Sequence, residues 1–183
     1  MRLYITTTIP YVNADPHLGT ALEFVHADII ARYKRLAGYE VFFNTGTDEH
    51  GQKILEKAIS AGTEPNIYVD RYAARFKAFA DRLNISYTNF IRTTDSKHKA
   101  AAQEFWRRCD AAGDIYKKFY RVKYCVGCEL EKTDSEIEKG RCSLHPGKDL
   151  EIREEENYFF RLSKYQERLL RLYEERTNLV LPE

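Results

Sequence analysis

Apolar and polar positions alternate at two distinct periods along the first 113 residues, and the periods sort this stretch into strands and helices. Leu3, Ile5 and Ile9, with Tyr4 and three threonines among them, predict a strand over 2–9, which Pro10 stops. Leu22, Val25, Ile29, Tyr33 and Leu36 recur at helical spacing and predict an amphipathic helix closed by Gly38. VFFNT (41–45) is a second strand. Ile54, Leu55, Ala58 and Ile59 make a second helix, ended by Gly62, and a third begins with Thr63 as cap and Pro65 in its first turn. Its stripe is Tyr68, Tyr72, Phe76, Phe79 and Leu83. NFIRT (89–93) is a third strand, and a fourth helix carries Ala102, Phe105, Cys109 and Ala112 on its inner face before Gly113.

Strands alternating with helices predict an α/β fold with a parallel sheet, a doubly wound half-domain over 1–113. Ligands bind such sheets beyond the carboxyl ends of the strands. Here those ends are Thr8–His17, Gly46–Gly51 and Thr93–Ser96. The apolar strand faces imply more sheet than three strands supply, as though a larger protein had been cut short. After Gly113 the pattern changes, and 114–183 reads as a second domain. DIYKKFYRVKY (114–124) suggests a strand or hairpin and YFFRL (158–162) another strand. Ser163 and Gln166 form a capping box for a last helix, 163–177, with Leu169, Leu172 and Tyr173 as its apolar face.

Composition adds little. A net charge of +1 on 183 residues gives no case for a nucleic-acid-coating or polybasic membrane-binding protein. The chain has no signal segment and no run long enough to span a bilayer, so the expectation is a cytosolic protein with no membrane partner. Oligomeric state is not legible. The four cysteines change the picture more. Cys125-x2-Cys128, thirteen residues, then Cys142-x2-His145 is knuckle spacing, and it offers three sulfurs and a nitrogen to one tetrahedral Zn²⁺. All four positions are filled, so the zinc is structural. The intervening ELEKTDSEIEKGR has almost no apolar residues to fold around, which makes a metal staple physically sensible. Cys109 reads as a small core residue.

The first strand end carries His17 and Gly19 where a helix begins. Free N–H groups there favour phosphate, glycine lets backbone approach a ligand, and His17 can donate to phosphate oxygens. The second strand ends in GTDEHG (46–51), where a carboxylate could hold an ammonium. Residue by residue other readings stand beside these. His17 is equally a capping or packing histidine, Asp48 a cap for the second helix, and Glu49 and His50 a solvated face.

Pro16-His17-Leu18-Gly19-Thr20 resembles the HIGH signature of class I aminoacyl-tRNA synthetases. TTTIPYVNADPHLG, FNTGTDEHGQKI, FIRTTD, YCVGCE and ENYFFRLSKYQ, in that order, resemble the bacterial methionyl-tRNA synthetases along essentially the whole chain. The resemblance implies the first half of a Rossmann-type catalytic domain, followed by a connective-peptide domain with one zinc knuckle (125–145). It implies ATP-dependent, Mg²⁺-assisted activation of L-methionine to methionyl-adenylate and transfer to tRNA(Met) in protein biosynthesis. By the same resemblance Ile9 and Tyr11 line the methionine side-chain pocket and Asp48 takes its ammonium. His17 and Thr20 are catalytic, and His17, Gly19 and Thr20 bind ATP. Cys125, Cys128, Cys142 and His145 hold the zinc. Thr20 departs from the signature, in which many members have a second histidine; a hydroxyl still donates but cannot be cationic. No lysine loop of the KMSKS type and no anticodon-binding domain is present, so the chain by itself is expected to be inactive. Two other readings are an inactive zinc-binding module of the same ancestry and a different HxGH nucleotidyltransferase; the YFFRLSKYQ block argues against the latter.

Overall fold

The computed structural model describes residues 1–176 and 179, without the side chain of Glu155. Two compact units divide it, Met1–Glu104 and Phe105–Glu183. The division falls inside the fourth helix, whereas the change in sequence pattern comes after it.

In the first unit β1 (Arg2–Thr6), β2 (Glu40–Thr47) and β3 (Asn89–Arg92) form a parallel sheet in that order. Leu3 pairs with Val41 and Thr45 with Phe90. The helices α1 (Leu18–Leu36), α2 (Gln52–Ser60) and α3 (Pro65–Arg82) lie between the strands in the chain, and α4 (Ser96–Ala111) follows β3. β1 is shorter than its sequence pattern: its pairing with β2 stops at Thr6, after a last backbone bond from Thr7 N to Asn44 O (3.3 Å), while the buried Thr7 hydroxyl meets Thr45 Oγ1 (2.8 Å). Gly38, Gly62 and Gly113 all have positive φ and end their helices as expected. Thr63 does not cap α3. Glu64 is the N-cap, with no side-chain bond, while Pro65 occupies the first turn.

Which face of α1 is buried differs from its apolar stripe. Leu22, Ile29, Tyr33 and Leu36 are exposed, Leu36 at 89%, while Thr20, Phe24, Ala27, Asp28 and Ala31 are buried. Two alanines let the helix sit close over the sheet, and Phe24 packs there with Phe43, Ala80 and Ile85. Asp28 is tolerated on that face because its carboxylate accepts from Ser86 N (2.7 Å) and Arg32 Nε (2.6 Å). A second core cluster gathers Val12, Ile54, Ala58, Tyr68, Val69 and Phe76, with Tyr11 and Tyr72 against it. The expected inner face of α4 is not buried. The helix has no buried residue, Phe105 is 71% exposed and Cys109 is half-buried, so Cys109 is not a core residue.

The second unit is built on an antiparallel ribbon of β4 (Ile115–Cys125) and β5 (Leu130–Lys132) with a last long strand. Two short strands, β6 (Ile137–Glu138) and β7 (Arg141–Cys142), pair with each other, and β8 (Glu151–Phe160) pairs with β4 from Ile115↔Phe160 to Tyr124↔Glu151. β8 extends seven residues before the expected YFF start because alternating charged residues pair across to β4, as Lys117 does with Glu156 (3.0 Å) and Arg121 with Glu154 (3.0 Å). The capping box at Ser163 is not formed. Leu162–Tyr165 make a 3₁₀ turn, and α5 (Gln166–Glu175) starts behind Tyr165 without a side-chain cap. The turn is held instead by buried Asp114, which accepts from Lys164 Nζ (2.6 Å) and from the Tyr165 hydroxyl. The Lys164 and Tyr165 hydrogen bonds hold the Asp114 carboxyl below its usual range. The expected end of α5 at 177 lies outside the described residues, and within α5 no residue is buried.

Candidate functional site

After Thr6 the chain does not turn away from the sheet. Val12 N donates to Asp48 O (3.1 Å) and Asp48 N to Pro10 O (2.9 Å), so Pro10–Val12 resumes parallel pairing beyond the end of β2. The segment that begins as a strand therefore runs on in the direction of β1, beside the continuation of β2, before α1 starts. Between the two lies a cleft of about 290 Å³, whose walls include Pro10, Tyr11, Asn13, His17, Gly19 and Thr20.

His17 is the N-cap of α1, in extended conformation, and its Nδ1 accepts from Gly19 N (3.1 Å) and Thr20 N (3.4 Å). Accepting at Nδ1 fixes the tautomer: the ring proton sits on Nε2, which is the donor the residue offers a ligand. This corrects the expectation of a helix start with open N–H groups, since two of them are already satisfied by the histidine. It also revises the part of Gly19. A Cβ there would lie 3.0 Å from His17 Cε1 and 3.1 Å from Nδ1, so the glycine makes room for the ring that caps the helix. Thr20 is only 7% exposed and forms part of the cleft wall. Glu23, one turn on, accepts from Thr8 N (2.6 Å) and Thr8 Oγ1 (2.6 Å) and pins the other wall. Neither Thr8 nor Glu23 is visible as a pair in the sequence, because a contact across fifteen positions leaves no periodic signal.

Tyr11 lines this cleft and packs on the second core cluster, while Ile9 is half-buried and lies outside both. The Tyr11 hydroxyl sits against Gly51, where a Cβ would approach to 2.0 Å. Asp15, in the loop before His17, is held by Arg75 of α3 (2.5 Å).

At the end of β2 the two neighbouring carboxylates are treated differently. Glu49 is 3% exposed. It accepts two bonds from Arg92 (2.7 and 2.8 Å), one from Thr47 Oγ1 (2.6 Å) and one from Thr94 Oγ1 (2.5 Å). It is no solvated face. Its hydrogen bonds are the main reason the Arg92 guanidinium is raised above its usual range, and Arg92 also reaches Asp70 (2.5 Å). Asp48 does not cap α2, whose N-cap is Gly51. Its Oδ1 accepts one long bond, from Thr93 Oγ1 (3.4 Å). His50 is exposed, with Nε2 3.2 Å from Thr93 O.

In the second unit Cys125, Cys128, Cys142 and His145 converge, their donor atoms all within 4.8 Å of one another. Cys128 Sγ is 3.5 Å from Cys142 Sγ and 3.2 Å from His145 Nδ1, and Cys125 Sγ is 3.8 Å from the same nitrogen. A tetrahedral zinc with Zn–S of ~2.3 Å requires donor separations of about 3.5–3.8 Å; with Cys142 Sγ 4.0 Å from His145 Nδ1, the separations bracket that range, so the set could hold such an ion after small shifts. Cys125 and Cys142 are buried at the ends of β4 and β7. Gly127 is required by the geometry, because a Cβ would stand 2.6 Å from the His145 ring. Between the ligand pairs, Thr133 and Glu136 form a capping box on a short 3₁₀ turn, and Lys132, largely buried, pairs with Glu136 (3.0 Å). Among the described residues no helix is long and apolar enough to cross a membrane.

The family model described as tRNA synthetases class I (M) matches residues 3–145. The methionine–tRNA ligase of Thermotoga maritima is 48% identical over the whole of this chain, which spans 30% of that protein. That of Thermosynechococcus vestitus is 48% identical over 97% of the chain and 34% of its own length. The structure of Mycobacterium tuberculosis methionyl-tRNA synthetase in complex with methionyl-adenylate superposes with a TM-score of 0.91 at 43% identity, covering all of this chain and 36% of that one. The chain thus spans about a third of the relatives it matches. A capped helix start facing a strand-end cleft, a four-donor knuckle and a match to the family model over most of the sequence lead to one conclusion: the chain belongs to the methionyl class of the class I tRNA synthetases.

Proposed function

We propose that this chain supplies one wall of the active site of a methionine–tRNA ligase, which joins L-methionine to ATP and then passes methionine to the 3′ end of tRNA(Met). The observation that carries the reading is the His17 ring anchored through Nδ1 at the head of α1 beside the cleft. In the first step the methionine carboxylate oxygen forms a bond to the α-phosphorus of Mg²⁺-bound ATP, the bond from that phosphorus to the bridging oxygen breaks, and pyrophosphate leaves. No covalent bond to the protein is needed, so positioning and charge stabilisation carry the catalysis. His17 Nε2–H donates to a phosphate oxygen as charge develops, and the Thr20 hydroxyl adds a second donor on the same wall. Tyr11 and Ile9 border the methionine side chain. Asp48 takes the ammonium, because Glu49 beside it is already committed to Arg92. Zn²⁺, held by Cys125, Cys128, Cys142 and His145, supplies the cross-link that orders the knuckle and takes no part in the chemistry. The proposed location is the cytoplasm, where charged tRNA is consumed.

The test is a hybrid in which this chain replaces the segment it matches in the Thermotoga maritima relative. Methionine-dependent ATP–pyrophosphate exchange is expected. His17→Asn keeps a side chain that caps helices well but lacks the Nε2 donor, so it should lower the exchange rate by about 10²–10³ at nearly unchanged stability. A folded hybrid without exchange, or a His17→Asn variant at full rate, would refute the reading.

A further inference from the structure

We infer that Thr93, at the end of β3, is a positioning residue that sets the Asp48 carboxylate for the methionine ammonium; the inference rests on the role proposed for Asp48 above. Three successive residues at the end of β2 converge on Thr93. Its Oγ1 accepts from Glu49 N (2.8 Å) and donates to Asp48 Oδ1 (3.4 Å), and its carbonyl lies 3.2 Å from His50 Nε2. Thr93 N in turn donates to Thr47 O (3.2 Å), which completes the last β2–β3 pair, Thr47↔Arg92. The side chain is buried, the residue being 6% exposed, and its single hydroxyl proton is spent on Asp48 because the Glu49 amide occupies an acceptor site.

Around this hydroxyl the frame is rigid. Glu49 is clamped by Arg92, and Arg92 by Asp70 of α3. Neither Arg92 nor Glu49 can swing toward a ligand without stranding a buried charge. The carboxylate left able to meet an ammonium is Asp48. Thr93 fixes one of its oxygens and leaves the other for the ligand. A hydroxyl orienting a carboxylate in this way acts on the recognition of the cation, and it does not touch ATP.

Exchange kinetics in the hybrid enzyme test the inference. Thr93→Val, nearly the same shape without the hydroxyl, should raise the methionine KM about tenfold, the scale of one hydrogen bond to a charged group, and leave the ATP KM within about twofold. Thr93→Ser should restore the methionine KM to within about threefold of the parent. In an Asp48→Ala background Thr93→Val should add nothing, since its effect passes through that carboxylate. In the 183-residue chain itself, Thr93→Val should speed hydrogen exchange at the Glu49 amide. If Thr93→Val does not fold, Thr93→Cys, a poor hydrogen-bonding partner of similar size, carries the same comparison. An active hybrid whose methionine KM ignores Thr93→Val, or an equal penalty with and without Asp48, would overturn this inference and leave the proposed function standing. A parent hybrid without methionine-dependent exchange would overturn both.

Discussion

Asp28 and Glu49 are buried acidic residues whose surroundings differ from what their neighbours in sequence suggest. Each stands on a buried face beside apolar or β-forming residues and is satisfied by a partner far along the chain: Arg92, 43 positions on, pairs with Glu49, and Ser86, 58 positions on, donates to Asp28, whose charge is met by Arg32 one turn away. For Asp28 burial pushes its carboxyl upward, but bonds from Ser86 and Arg32 outweigh it and hold the group below its ordinary value of 3.8. The sign follows. A depressed carboxyl contributes stability that is present above its unfolded-state value and lost as pH falls through the folded one. Unfolding stability of the chain should therefore drop as pH is lowered below about 3.8, and Asp28→Asn should be less stable at neutral pH but flatter across that acid range. Chemical denaturation at a series of pH values checks it; parallel curves for the two proteins would show that Asp28 is not a contributor. The same residue scale explains Gly19 and Gly127. Each stands out in sequence as a glycine of a motif, yet what each makes room for is a histidine ring supplied by the protein itself.

Between residues and the molecule, α1 shows how an element can be right in extent and wrong in orientation. Its stripe of Leu22, Ile29, Tyr33 and Leu36 has good helical period, but Phe24, Ala27 and Ala31 recur at the same period on another face. Periodicity finds the helix without ranking two apolar faces, and the sheet selects the one whose alanines permit close approach. Phe24→Ala should cost about 3–5 kcal/mol by emptying a closed packing site. Leu22→Gln, on the exposed stripe, should change stability by less than about 0.5 kcal/mol. Urea midpoints measured on the two variants distinguish the faces, and the reverse order of effects would restore the larger stripe as the core. α4 and α5 behave alike in this respect: their apolar spacings predict helices correctly, and among the described residues neither has a buried position.

At the scale of the molecule, the two compact units rest on different sources of order. Met1–Glu104 has two apolar clusters, whereas the knuckle of the second unit is polar between its ligands. Chelation of the metal should therefore abolish the order of 125–147 and leave the first unit's core intact, since structural zinc sites are worth on the order of 10–16 kcal/mol to the segments they close. Hydrogen exchange with and without chelator reads this directly, beside elemental analysis giving one zinc per chain; Cys128→Ala should reproduce the chelated pattern. Uniform loss of protection, or protection of the knuckle without metal, would contradict it. The sequence by itself determined the parallel α/β order of the first unit, the helix-ending glycines and the three cysteines and one histidine that converge in the second. Each is a local matter of period, backbone freedom or spacing. It also carried the site segments at the strand ends, because topology places those ends together whatever the side chains do. Tertiary structure alone decided which face of α1 is buried, that His17 spends Nδ1 on its own helix, that Glu49 is locked to Arg92 while Asp48 beside it is not, and that Thr93 ties the two strand ends. Those outcomes depend on partners far away in the chain, and hydrogen bonds between such partners have no period to read.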